Sequence, residues 1–281
     1  MPDNDTRPVA LITGTSTGIG RATVDRFARG GWRVAATMRN PAASDLVGSP
    51  DLQLIALDVN DEASIAAGVA ATVAAFGRID ALVNNAGYAQ QGAVEALPMS
   101  ALRRQFETNV FGLMSMTQHC LPHLRATRGS VINIASIGGR MAFPFGAAYH
   151  GTKWAVEGMS EAMRFELRRH GVRVRIIEPG GIKTDFGSRS ISWAEHPEYE
   201  PEMSGFRDLF ARFEGRLPGP EPVADAIFEA ATSQGGRLRW TVKPGLFFRL
   251  HQILPDPVWR RLVHAILARA AASRPRASAA A

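Results

Sequence analysis

The chain has 281 residues and a single cysteine, Cys120, so no disulfide can form within it. That usage suits a reducing compartment, and a cytoplasmic location is expected. No basic stretch leading into a short apolar core opens the sequence, so no secretory signal is expected. No window approaches about 18 uninterrupted apolar residues, so no transmembrane helix is expected. Neither an internal repeat nor a second domain is visible, and residues 1–281 read as one unit. His119 and His123 stand four apart on a helical pattern, but two histidines fall short of a zinc ligand set, and no metal is expected.

Acid is nearly absent from the C-terminal part. From Arg237 onward, nine Arg or Lys face only Asp256, which leaves the first 236 residues at −2 in a chain of net charge +6. The basic excess carries no recognisable nucleic-acid motif, so no nucleic-acid partner is expected. Asp256 to Ala271 has an amphipathic helical pattern (Val258, Trp259, Leu262, Val263, Ile266, Leu267). Such a helix is expected to cover a groove of its own protein or a partner subunit, with an anionic membrane as the alternative. The basic extension runs over 244–281, and Ser273 to Ala281 is expected to fray.

Hydrophobic residues make up 46% of the chain, enough for a real core. Apolar β-branched runs alternate with helical patterns. The expected strands are Pro8–Thr13, Arg33–Thr37, Leu52–Leu57, Ala81–Val83, Ser130–Ile134, Val172–Ile177 and Arg239–Val242. The expected helices are Gly18–Gly30, Asp61–Phe76, Ser100–Thr127, Ala148–His170 and Glu221–Ser233. This alternation predicts an α/β fold of βαβ units, a parallel sheet covered on both faces. Ligands of such a sheet bind beyond the carboxyl ends of its strands. Residues 187–220 break the pattern with four prolines, and a connection this long reads as a substrate lid.

Thr13-Gly14-Thr15-Ser16-Thr17-Gly18-Ile19-Gly20 joins the first strand to the first helix. Glycines there permit a tight turn and close approach of a phosphate, and the helix N-terminus offers free N–H groups. The second strand ends Ala36-Thr37-Met38-Arg39-Asn40, with no acid to hold a ribose 2′-hydroxyl. Arg39 suits a 2′-phosphate instead, so NADP(H) is expected over NAD(H). A second signature follows. Ser136 comes after the strand Ser130–Ile134, and Tyr149 and Lys153 lie one turn apart on the next helix. A lysine ammonium and an oxidised nicotinamide are expected to lower the tyrosine pKa from about 10, so that Tyr149 exchanges a proton with the substrate oxygen. Ser136 would hold that oxygen.

With these motifs the sequence resembles the short-chain dehydrogenase/reductase family, single-domain branch. The glycine motif matches Thr13–Gly20, Asn-Asn-Ala-Gly matches Asn84–Gly87, and the helix asparagine matches Asn109. The catalytic set matches Ser136, Tyr149 and Lys153, and the Pro-Gly plus threonine pattern matches Pro179-Gly180 and Thr184. The resemblance implies a Rossmann-type doubly wound sheet of order 3-2-1-4-5-6-7. It implies that Asp58 and Val59 lie beside the adenine and that Asn85, Ala86 and Gly87 pack by the adenosine. Lys153 would bind the nicotinamide ribose, and Ile182 and Thr184 the carboxamide. Asn109 would hold a proton-relay water, and the enzyme would be a homo-oligomer formed through its two longest helices. Residues 138–145, 88–91 and 186 onward would line the pocket, offering Met141, Phe143, Phe145, Tyr88, Phe186 and Trp193 to a hydrophobic alcohol or carbonyl. Two rival functions share parts of this pattern: an epimerase or dehydratase using the same Tyr/Lys pair, and a regulatory protein that senses NADP.

Overall fold

The computed structural model describes residues 5–184, 190–200 and 202–272. Seven parallel strands form the central sheet: β1 (Val9–Thr13), β2 (Arg33–Met38), β3 (Leu52–Ala56), β4 (Ala81–Asn84), β6 (Ser130–Ile134), β7 (Arg173–Pro179) and β9 (Arg239–Val242). Their spatial order is β3-β2-β1-β4-β6-β7-β9, which is 3-2-1-4-5-6-7 when the strands of this sheet are counted along the chain. In β1, β2, β4 and β6 every residue is buried, as expected of strands covered on both faces.

Helices cover both faces. On one side, α2 (Glu62–Phe76), α4 (Gly112–Thr127) and α5 (Ala147–Leu167) contribute Ile65, Val69, Met116, Leu124 and Met163 to one core. On the other, α1 (Gly18–Arg29) and α7 (Glu221–Thr232) contribute Val24, Phe27, Val223 and Ile227. Cys120 lies fully buried in the first core, where desolvation pushes its thiol up to about 12 and leaves it inert. Asp61 caps α2 by accepting from the Ala63 N–H at 2.9 Å, and Gly77 ends that helix with φ 75°.

The expected helix Ser100–Thr127 divides into α3 (Met99–Phe106), a π-helical turn over Glu107–Phe111, and α4. A Cβ on Gly112 would lie 2.5 Å from the Val59 carbonyl oxygen, so only glycine lets α4 pass so close to the loop after β3. Of the segment 187–220, the described residues are more regular than the sequence predicts. They contain β8 (Ile191–Ala194), which pairs in parallel with β5 (Ala89–Gly92), and the helix α6 (Glu202–Glu214). This small second sheet ties the segment to the loop after β4, and Ser192 Oγ donates to Gln90 Oε1 at 2.6 Å.

The C-terminal part forms α8 (Gly245–Ile253) and α9 (Asp256–Ala272). The inner side of α9 packs on α6 so closely that a Cβ on Gly205 would lie 2.3 Å from the Ala270 carbonyl oxygen. Trp259 is buried against Phe143, with ring centres 5.9 Å apart. The amphipathic helix therefore covers a groove of its own chain. Ser273–Ala281, expected to fray, and Phe186 lie outside the described residues. Among the described residues no helix is long and apolar enough to cross a membrane.

Candidate active site

A cleft of about 1180 Å³ opens where the strand order reverses, between β1 and β4. Gly14, Ser16 to Gly20, Arg39, Asp58 and Val59 line one end. Ser136, Tyr149, Lys153, Gly180, Ile182 and Thr184 line the other, with Asn85 to Gly87 between them. The structure thus gathers almost every residue expected at the site from loops up to 170 positions apart.

The glycine end has the form of a phosphate cradle. Gly18 has φ 59°, and a Cβ on Gly20 would lie 2.1 Å from the Gly14 carbonyl oxygen. The α1 N-terminus has no side-chain cap and no acidic residue in its first turn, so its N–H groups and positive end are free for an anion. Asn85 holds the loop in place, donating from Nδ2 to the carbonyls of Thr13 at 2.9 Å and Gly14 at 3.0 Å. Arg39 is exposed at the end of β2, on the cleft rim. These residues fit a dinucleotide with its pyrophosphate on the helix and an anionic group at Arg39.

Two expected contacts fall outside the cleft lining. Thr15 is fully buried, and both its N–H and its hydroxyl donate to the Thr37 carbonyl at 3.1 Å. It fastens the loop to β2 and presents no side chain to the cleft. Asn109 is buried in the π-helical turn. Its Oδ1 accepts from the Tyr88 N–H at 3.1 Å, and its Nδ2 donates to Tyr88 O at 3.0 Å and Thr152 Oγ1 at 3.1 Å. Its side chain joins the loop after β4 to α5. Asp58 lines the cleft and also closes its own turn, accepting from the N–H and side-chain amide of Asn60 at 3.0 and 3.1 Å.

At the chemical end, Tyr149 and Lys153 project from the first turns of α5. Lys153 Nζ lies 5.8 Å from the Tyr149 ring centre and donates to the Ile134 carbonyl at 2.8 Å. Burial pulls the lysine down to about 8, partly opposed by the nearby Glu157 carboxylate. Burial pushes the Tyr149 phenol up from 10.0, and a hydrogen bond with Ser136 draws it partly back. In the protein alone burial is the larger influence on the phenol, whereas the lowering expected from the sequence includes the charge of an oxidised nicotinamide. Ser136 Oγ accepts from the Gly138 N–H at 3.0 Å.

Tyr88, Met141, Phe143 and Trp193 line the cleft as expected, joined by Phe206, Arg207 and Leu217. Phe145 does not. It takes φ 62° and turns its ring onto Phe206, with centres 5.9 Å apart. Arg207 was not read from the sequence. It stands over the Trp193 ring at 5.6 Å and pairs with Glu195 at 2.7 Å. No periodic signal marked it, because the turn that brings it to the cleft is set by α9 packing on α6. His119, considered above for a metal, donates from Nδ1 to the Ser115 carbonyl at 3.0 Å within its own helix.

A doubly wound sheet with a glycine cradle at its switch point defines the class, a Rossmann-type dinucleotide-binding fold. A model of the short chain dehydrogenase family matches residues 8–195, and the chain belongs to that family, whose members use nicotinamide cofactors. Among curated proteins it is 35% identical over 279 residues to the uncharacterized oxidoreductase YusZ of Bacillus subtilis, covering 92% of this chain and 97% of that one. It is 32% identical to a 3-ketodihydrosphingosine reductase of Bacteroides thetaiotaomicron, covering 88% and 93% of the two chains. Among solved structures, a short-chain dehydrogenase from Streptomyces avermitilis superposes with TM-score 0.78 at 33% identity over 94% of this chain and 98% of that one. A Burkholderia cenocepacia short chain dehydrogenase in complex with NADP gives 0.72 at 28%, covering 93% and 97%. A 3-ketoacyl-(acyl-carrier-protein) reductase from Brucella melitensis complexed with NADH gives 0.72 at 26%, covering 85% and 98%.

Proposed function

We propose that the protein is an NADP(H)-dependent carbonyl reductase or alcohol dehydrogenase acting on a hydrophobic substrate, with Tyr149 as its general acid and base. The observation that carries this reading is the meeting of Ser136, Tyr149 and Lys153 in the cleft whose far rim holds Arg39. The bound nicotinamide supplies or accepts the hydride. Tyr149 donates its phenolic proton to the developing alkoxide during reduction, or takes it from the alcohol during oxidation. Ser136 donates to the same oxygen and disperses its charge. Lys153 favours the phenolate by its charge and holds the nicotinamide ribose hydroxyls. Asn109 secures the scaffold on which Tyr88 and α5 meet.

Arg39 and the absence of an acid at the end of β2 favour the 2′-phosphate of NADP(H). Similar structures carry NADP in one case and NADH in another, so the preference rests on this rim alone. Met141, Phe143, Trp193, Phe206 and Leu217 give the substrate end an apolar wall. Two similar proteins are named as reductases of 3-keto compounds, which supports a carbonyl substrate. An epimerase or dehydratase reading has no observation of its own here, and a purely sensing protein has no need of the Tyr149 and Ser136 hydrogen bond. The test is cofactor oxidation across a panel of hydrophobic ketones and aldehydes. NADPH consumption with at least one of them is expected, and none with any would overturn the reading.

A further inference from the structure

Beneath the loop that carries Ser136, one side chain spans both ends of a turn. His150 follows Tyr149 on α5 and is mostly enclosed. Its Nδ1 lies 2.8 Å from the Gly138 carbonyl oxygen, and its Nε2 accepts from the Phe143 N–H at 3.1 Å. The two contacts fix the tautomer. A backbone N–H can only be received by an unprotonated ring nitrogen, so the proton sits on Nδ1 and is donated to Gly138. Burial pushes the imidazole below its ordinary 6.5, which keeps this neutral form at physiological pH.

The surroundings are shaped for the ring. A Cβ on Gly138 would lie 2.8 Å from Nδ1, and one on Gly146 would lie 2.5 Å from Cδ2. Both glycines make space at the two ends of the loop that the histidine joins. The ring also meets the Tyr149 ring edge-on, with centres 5.7 Å apart.

We infer that His150 is a positioning residue that locks the loop from Ser136 to Gly146, and so sets both the catalytic hydroxyl and the substrate wall; the inference rests on the activity proposed above. One end of the clamp acts on chemistry. His150 holds Gly138, and the Gly138 N–H donates to Ser136 Oγ at 3.0 Å. Ser136 in turn is hydrogen-bonded to Tyr149. The other end acts on specificity. His150 holds Phe143, whose ring lines the cleft and packs against Phe206 and Trp259, with centres 6.3 and 5.9 Å away. A displacement of about 1 Å at such a loop is enough to cost about a hundredfold in turnover.

Three variants separate the two ends. His150→Ala removes both bonds. His150→Asn keeps a short amide where Nδ1 stood and can still donate to Gly138. His150→Gln reaches with its Oε1 to where Nε2 stood and can still accept from Phe143. Hydrogen exchange over residues 137–147 of the full chain, without substrate, reads the clamp itself. The Phe143 amide is expected to exchange faster in the Ala and Asn variants and to stay protected in the Gln variant. Kinetics with the best carbonyl from the panel read its consequence. The Ala variant is expected to lose about tenfold to a hundredfold in kcat, with NADPH binding unchanged. The Asn variant, which spares the Ser136 side, is expected to keep kcat and raise KM. Equal protection of residues 137–147 in wild type and His150→Ala would overturn the clamp. Faster exchange with unchanged kcat and KM would overturn its role in positioning. If the wild-type protein consumes NADPH with no carbonyl, the proposed activity fails while the exchange measurement still judges the clamp.

Discussion

The Lys153 ammonium lies 5.8 Å from the centre of the Tyr149 ring and is bonded to the Ile134 carbonyl at 2.8 Å. The lysine is thus anchored to the end of β6, beside the phenol but not bonded to its ring. One turn further along α5, Glu157 is buried and bonded to Arg239 at 2.9 Å. Glu157 opposes the desolvation of Lys153, Arg239 opposes that of Glu157, and this gives the site a pH signature.

Burial pushes the Glu157 carboxyl up from 4.5 to about 7, against the pull of Arg239. The folded protein therefore holds a proton there more tightly than the unfolded chain does. The stabilisation from this group is complete below 4.5 and is lost as pH rises through about 7. Glu157→Gln removes that dependence. The melting temperature of the wild type relative to the variant should fall between pH 4.5 and 8, by at least about 2 °C, the shift that 1 kcal/mol brings in a domain of this size. A difference that stays constant with pH would contradict the assignment.

Arg39→Ala should raise the KM for NADPH by about tenfold and leave that for NADH nearly unchanged. Only NADPH carries the 2′-phosphate, and a charge-assisted bond to it is worth about 1.5 kcal/mol. Steady-state kinetics with both cofactors decide this. Equal effects on the two would remove the argument for NADP(H).

Most of the fold could be read in advance because short strand-forming runs rich in β-branched residues alternate with helical patterns along the chain. Ser130–Ile134 and Arg239–Val242 match their strands residue for residue. Tyr149, Lys153 and the glycines were legible because their chemistry needs those residues at fixed spacing. Other features had no local signal. Ala89–Gly92 and Ile191–Ala194 are polar or mixed, and they become strands by pairing with each other. The burial of Thr15 and Asn109 depends on partners 22 and 43 positions away in the chain, Thr37 and Thr152. The upward push on Tyr149 comes from burial, which a motif does not display.

The segment from Ser190 to Glu214 is expected to respond to ligands. It carries Trp193 and Phe206 over the cleft. Closure over a hydrophobic substrate would exclude water and strengthen the bonds made by Ser136 and Tyr149. Since α6 is already seated on α9, the gain in hydrogen-exchange protection should be larger over 190–200 than over the helix. NADPH with a substrate analogue should produce it, and unchanged protection throughout would contradict a lid.

The protein is expected to be a homo-oligomer. Of the apolar positions on α5, Val156 and Met163 turn to their own core, while Trp154 is 53% and Phe165 73% exposed. Phe111, at the end of the π-helical turn that leads into α4, is 55% exposed. Apolar groups of this size on two long helices gain by pairing with a second copy. Light scattering at micromolar concentration should give a dimer or tetramer, and a monomer would contradict this.

The central claim is that Tyr149 moves the proton. It is tested most directly by measuring NADPH oxidation with a carbonyl substrate in the wild type and in Tyr149→Phe, alongside NADPH binding by fluorescence titration. The substitution removes one oxygen atom and leaves the glycine cradle, Arg39 and Lys153 in place. Turnover should fall by about a hundredfold or more, the usual worth of side-chain proton transfer, while binding stays almost intact. A variant that binds NADPH normally and keeps more than about a tenth of wild-type turnover would contradict the role given to this residue.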